Sequence, residues 1–257
     1  MAIIALKAWY IEQYEPLTEV VKRPHDLRLS RNSLLKSGLR ADFLDDIQQV
    51  QASTWFRRYL EGEKVEFYIE GSGGYVIANI DLISQEVYFT KQESLASLNP
   101  IVFFSYQRED AIARESLLEV LNKSIAELNQ KLRFPLTLEM AIRSTEESTR
   151  MSDSQLRKIR KSLLFVADIS PITVFTQGEN ALLLPSPNVC LEIGYALRAK
   201  HSQQILLVKR DREDLEGDFP FDIVTHQQLN FSNVVELSKT LLPMLTTMLQ
   251  KFNLFSY

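Results

Sequence analysis

The sequence predicts an α/β protein: a doubly wound parallel sheet preceded by a smaller α+β domain with an antiparallel meander. Three observations carry this. In the second half, short and wholly apolar runs alternate with amphipathic helices, as in a parallel sheet covered on both faces. In the first half, β-branched and aromatic runs follow one another with only turn residues between them. Between the halves, residues 94–100 (Ser-Leu-Ala-Ser-Leu-Asn-Pro) are small and polar enough for a linker, so domains are expected at 1–96 and 97–257.

The first domain opens with a strand candidate at 3–10. A helical region is expected over 33–60, where Leu34, Leu35, Leu39, Phe43, Ile47 and Val50 recur at threes and fours. Residues 65–69, 75–80 and 86–90 then read as the three strands of the meander. The Gly71-Ser72-Gly73-Gly74 segment between two of them lacks the Lys-Ser/Thr and the following helix of a phosphate loop, so it reads as a hairpin turn.

In the second domain residues 101–104 form a short apolar strand. Residues 111–132 form a helix expected to turn Ile112, Leu117, Leu118, Leu121, Ile125 and Leu128 inward. Strands follow at 136–142, 163–169, 204–208 and 228–231, with helices at 152–162, after Ser186, and at 233–252. Right-handed crossovers between such strands give a flavodoxin-like sheet.

Composition narrows the function. The 257 residues are 45% hydrophobic and carry 29 Lys+Arg against 33 Asp+Glu, a net charge of −4. That balance argues against nucleic acid or an anionic membrane as an obligate partner. No apolar run approaches the ~20 residues of a membrane helix, and the start of the chain does not read as a signal peptide. The one cysteine, Cys190, forms no internal disulfide and suits a reducing cytoplasm; it reads as a small buried hydrophobe. Three scattered histidines give no metal-site spacing.

Ligands of doubly wound sheets sit beyond the carboxyl ends of the strands. This selects Ser105-Tyr106-Gln107-Arg108 after the first strand, Asp168 to Pro171 after the third, and a long loop at 172–187 with the helix behind it. In that helix Ser186 reads as N-cap and Pro187 as the first residue. Val189, Cys190, Ile193 and Leu197 form the expected buried stripe, with Glu192 beside it, one turn after Asn188. A carboxylate in such a helix is expensive to bury unpaired, so it marks either a site or an ion pair with a buried arginine. Gly194 in mid-helix costs roughly 1 kcal/mol against alanine and suggests close approach of a backbone or ligand.

Ile101 to Tyr106 with the following Gln107-Arg108-Glu109-Asp110 resembles the first box of Toll/interleukin-1 receptor (TIR) domains. Residues 187–196 (Pro-Asn-Val-Cys-Leu-Glu-Ile-Gly-Tyr-Ala) are similar to the Asn-Val-x-x-Glu-Leu-Gly-Tyr motif of bacterial TIR-like defence effectors and to its counterpart in nucleoside 2-deoxyribosyltransferases. Residues 164–171 and 219–223 also resemble the bacterial group. The usual Arg-Asp-x-x-Pro-Gly loop is absent; residues 146–153 stand in its place. The resemblance covers about 99–257 and not the first domain.

The resemblance implies a TIR-like NAD+ glycohydrolase with Glu192 catalytic, acting in antiviral defence as a homo-oligomer on activation. NAD+ is then substrate, and no cofactor or metal is implied. Ser105, Tyr106, Gln107, Arg108, Asp168, Asn188 and Tyr195 are the candidate substrate-binding residues. Nicotinamide leaves from a cationic pyridinium without needing a proton, so one carboxylate suffices. A neutral base needs an added proton, which Asp168 could supply, keeping a deoxyribosyltransferase-like reaction open; Asp168 could equally cap a turn. Cyclisation of the ADP-ribose product, a non-enzymatic adaptor and a nucleotide sensor are the other readings. The first domain is then a sensor, for an activating ligand or protein, or an oligomerisation module.

Overall fold

The computed structural model describes residues 5–30, 39–92, 95–143, 152–177, 180–218 and 227–256. The chain divides into two compact units, 1–99 and 100–257. Among the described residues no helix is long and apolar enough to cross a membrane.

The first unit is built on β1 (Ala5–Ile11), α1 (Leu17–Val20), β2 (Leu27–Ser30), β3 (Leu39–Asp42), α2 (Ile47–Ala52), α3 (Thr54–Leu60), β4 (Glu66–Ile69), β5 (Gly73–Asp81) and β6 (Glu86–Lys91). Its six strands form one antiparallel sheet in the order β2-β1-β4-β5-β6-β3. Alternation along the strands sends Leu27, Leu29, Phe67, Ile69, Val87 and Phe89 into one core. Trp55 of α3 seals that core, edge-on to Phe67 with ring centroids 5.2 Å apart.

The expected meander is present as β4, β5 and β6. The long helix expected over 33–60 is not: 39–42 is a strand, and two short helices follow. Ala41 and Phe43 are buried while Arg40 pairs with Glu86 on β6, a period of two that the i, i+4 leucines masked. Asp46 and Ser53 each accept a backbone N–H at a helix start, which splits the remainder into α2 and α3. The first part of the expected helix, 33–38, lies outside the described residues.

The second unit contains β7 (Asn99–Ser105), α4 (Ala111–Asn129), β8 (Thr137–Met140), α5 (Asp153–Lys161), β9 (Ser162–Asp168), β10 (Thr173–Gln177), β11 (Asn180–Leu184), α6 (Pro187–Ala199), β12 (Ile205–Arg210), β13 (Gln227–Phe231) and α7 (Val234–Gln250). Five strands form a parallel sheet in the order β13-β12-β9-β7-β8. On one face Phe103, Phe165, Ala167, Ile205 and Leu207 pack with Ile159 of α5 and Val189, Ile193 and Ala196 of α6. The alternate residues Val102, Phe104, Leu164, Val166, Leu206 and Val208 are equally buried on the other face, the side of α4 and α7. Burial on both faces is why these strands are continuous apolar runs.

Two expectations change here. In α4 the inward residues are Ala113, Leu117, Val120, Leu121, Ile125 and Leu128, while Ile112 is 64% exposed. Asp110 caps this helix through the Ala113 N–H, which sets the helix phase and leaves Ile112 in its outward-facing first turn. The expected loop at 172–187 is largely an antiparallel hairpin, β10 with β11.

Candidate functional site

The chain leaves β7 toward β8 on one side of the sheet, and β9 lies on the other side. Beyond the carboxyl end of β7 there is therefore a crevice position between diverging connections. Ser105, the last residue of β7, is buried there, and Gln107 follows it, also buried. Helix α6 starts at Pro187, a residue with no N–H to leave unpaired. Ser186 stands at the N-cap without a side-chain cap bond; its backbone N–H donates instead to Gln107 Oε1 at 3.0 Å.

Glu192 belongs to the buried stripe of α6, with Val189, Ile193 and Ala196, rather than lying beside it. Leu197, expected in the stripe, is 40% exposed, and Cys190 is only half-buried. Burial pushes the Cys190 thiol up. Gly194 is exposed, and among the described residues no atom apart from its own helix backbone and chain neighbours lies within 4 Å of the place its Cβ would take, so close approach of another described segment does not explain it.

The Glu192 carboxylate is 1% exposed and fully engaged. Ser105 Oγ donates to Oε2 at 2.5 Å, Arg143 Nη1 to Oε1 at 2.5 Å, Arg143 Nη2 to Oε2 at 2.9 Å, and Gln155 Nε2 to Oε1. Arg143 lies just beyond β8. Its guanidinium also donates to the Tyr106 carbonyl at 2.8 and 3.1 Å and stacks over the Tyr106 ring at 5.2 Å. The Arg143 and Glu192 side chains are 3% and 2% exposed, so this fork is a dry, charge-assisted pair. Of the two readings of Glu192, site or ion pair with an arginine, the ion pair is present.

Asp168, at the end of β9, is fully buried in a second network. Its Oδ1 accepts from the Ser170 N–H at 3.0 Å and the Ser170 hydroxyl at 2.6 Å, the turn-capping role. Among the described residues its Oδ2 has no hydrogen-bond partner. Burial pushes the carboxyl up to about 7, against the Ser170 hydrogen bonds; Asp110 adds to the rise and Arg210 opposes it. Arg210 itself donates twice to Asp110, at 2.8 and 3.0 Å.

Gln107 ties the Asp168 network to the start of α6. Its Nε2 donates to the Ser170 carbonyl at 2.5 Å while its Oε1 holds Ser186 at the head of α6. It is fully buried and has no free face for a substrate. Of the other candidates, Tyr106 and Tyr195 pack on the core under α6, Asn188 is half-buried in the first turn, and Arg108 is exposed on the loop. None of Asn188, Tyr195 and Arg108 is among the hydrogen-bond partners of Glu192.

Arg143 and Gln155 were not singled out from sequence. The available signal was positional: Arg143 directly follows the strand expected at 136–142 and so stands at the carboxyl edge. Residues 219–223 and 144–151 lie outside the described residues, so the last resembling segment and most of the departing loop have no place in this geometry. Among the described residues no three His, Cys, Asp or Glu side chains could together hold a metal ion. The sequence matches no family model and no curated protein.

Proposed function

We propose that the second domain is a flavodoxin-like, TIR-like enzyme that cleaves the nicotinamide–ribose bond of NAD+, seen with its carboxylate covered by Arg143. The observation that carries this is the convergence of Ser105 and Glu192 beyond the carboxyl end of the first strand. The strand order supports it: read from the other edge it is 2-1-3-4-5, the doubly wound order whose ligand crevice lies between the first and third strands. In the reaction the bond from the ribose carbon to the pyridinium nitrogen breaks, and its electron pair leaves with nicotinamide. Water supplies the new carbon–oxygen bond and releases one proton, giving ADP-ribose. Glu192 stabilises the cationic sugar or attacks it first, with water then displacing it.

For either role Arg143 has to withdraw, because a carboxylate in a bidentate ion pair has little charge to lend. Arg143 sits beyond the last residue of β8, so its movement leaves the sheet ladder intact. Assembly of several copies on a signal to the first domain is the event proposed to release it.

A second reading is favoured by the same ion pair. With four hydrogen bonds to its carboxylate, Glu192 can be a strut that ties α6 to β7, β8 and α5, in a domain that binds without catalysis.

The deciding experiment incubates the full chain with NAD+ and with deoxynucleosides, dilute and under crowding, and separates products by chromatography. The enzyme reading expects nicotinamide and ADP-ribose, lost in Glu192→Gln by at least about 100-fold. A cyclic product would indicate ring closure in place of hydrolysis. Turnover by Glu192→Gln equal to the parent, or none by either in any condition, leaves the strut.

A further inference from the structure

A second concavity, separate from the Glu192 cluster, opens at the carboxyl end of β12 and has a volume of about 370 Å³. That is within the range of small-molecule sites, at the edge of the sheet where ligands of such folds bind. Its walls combine three cations, Lys209, Arg210 and Arg212, with the apolar side chains of Pro171, Leu183 and Leu215. We propose that this cleft binds a nucleoside phosphate, its phosphate on Lys209 and Arg212 and its base against the apolar wall. The proposal does not depend on the chemistry assigned to Glu192.

Formal charge in the cleft is balanced, since Asp211, Glu213 and Glu216 also line it, but placement is not symmetric. The cationic side chains are 26%, 19% and 21% exposed for Lys209, Arg210 and Arg212, whereas Asp211 and Asp214, the partners of Lys209 and Arg212, are 47% and 64% exposed. Lys209 and Arg212 form the wall and their carboxylates face water. Arg210 is committed to the buried Asp110. Arg212 is held in one orientation by its Nη1 bond to the Pro171 carbonyl at 3.1 Å and by Nε and Nη2 bonds to the outward-facing Asp214 carboxylate. Lys209 meets Asp211 only at 3.4 Å.

The single Lys209–Asp211 contact contributes little, whereas Asp214 holds Arg212 in a fork, so a phosphate dianion has to take the place of both carboxylates and gains charge-assisted bonds in exchange. The rim is fixed by backbone. Asp218 N–H donates to the Ala181 carbonyl at 2.8 Å, and the Leu183 N–H donates to the Asp218 carbonyl at 2.8 Å. That approach needs Gly217, at φ +148, because a Cβ there would lie 2.5 Å from the Ala181 oxygen.

The test is calorimetric titration of the full chain with AMP, adenosine and inorganic phosphate at low salt. AMP is expected to bind at least about tenfold more tightly than either fragment, and Lys209→Ala with Arg212→Ala to weaken AMP about tenfold or more while leaving adenosine unchanged. Arg212→Gln alone, a milder change, is expected to give part of that loss. Glu192→Gln is expected to bind AMP like the parent, which separates this site from the glycosidase reading. Absence of AMP binding by the folded chain, or AMP affinity unaltered in the double variant, would overturn the proposal.

Discussion

Glu192 and Asp168 are both carboxylates buried near the carboxyl edge of the same sheet, and they are held in opposite ways. Glu192 has a guanidinium across both its oxygens and two further donors. Asp168 has serine donors on one oxygen and, among the described residues, no partner on the other. Loss of solvation penalises a charge in either place, but only Glu192 has a cation in contact to offset it. The first site is an ion pair, while burial pushes the Asp168 carboxyl up to about 7. Gln107 lies between the two, bonded to Ser170 beside Asp168 and to Ser186 at the head of the helix that carries Glu192.

The contrast can be broken most forcefully at Arg143. Arg143→Ala strands a buried carboxylate and is expected to destabilise the second domain by roughly 3–5 kcal/mol in urea unfolding at pH 7. Adding Glu192→Gln should recover part of that loss, because the orphaned charge goes with it. A cost below about 1 kcal/mol for the single variant would mean that the pair does not hold the domain together.

Asp168→Asn sharpens the other half. The folded-state value near 7 lies above the unfolded 3.8, so the folded protein keeps an extra proton between about pH 4 and 7. Stability from that proton is complete below pH 4 and is lost as pH rises through 7. Relative to wild type, Asp168→Asn should therefore gain about 2–3 kcal/mol of stability between pH 5 and pH 8. A pH-independent difference between the two proteins would show that Asp168 is ionised throughout.

The smallest effect is expected at Gly194, on the outer face of α6. Gly194→Ala places a methyl group in open space on a helical backbone, and should raise stability by about 0.5–1 kcal/mol in thermal unfolding. A loss of stability would instead reveal a close neighbour at that helix face.

Much of the second domain was legible because fully buried parallel strands leave an unmistakable trace. Residues 101–104, 163–169 and 204–208 have hardly a polar side chain among them. The 33–60 segment misled because Leu39, Phe43, Ile47 and Val50 satisfy a helical period while Ala41 and Phe43 obey a period of two, and the sheet partner β6 decides between them. Ile112 misled because hydrophobicity alone does not fix the phase of a helix whose cap, Asp110, sets where it begins.

By itself the sequence determined that Glu192 would stand in an apolar helix and that this helix would begin at Pro187 behind the carboxyl edge. Those are local facts, set by side-chain period and by proline chemistry. Which cation meets that carboxylate was decided only by the tertiary structure. Arg143 is 49 residues away along the chain, and the sheet order brings the ends of β7 and β8 together under α6. Pairing of a buried charge depends on distance in space, and no periodicity along a chain encodes that distance.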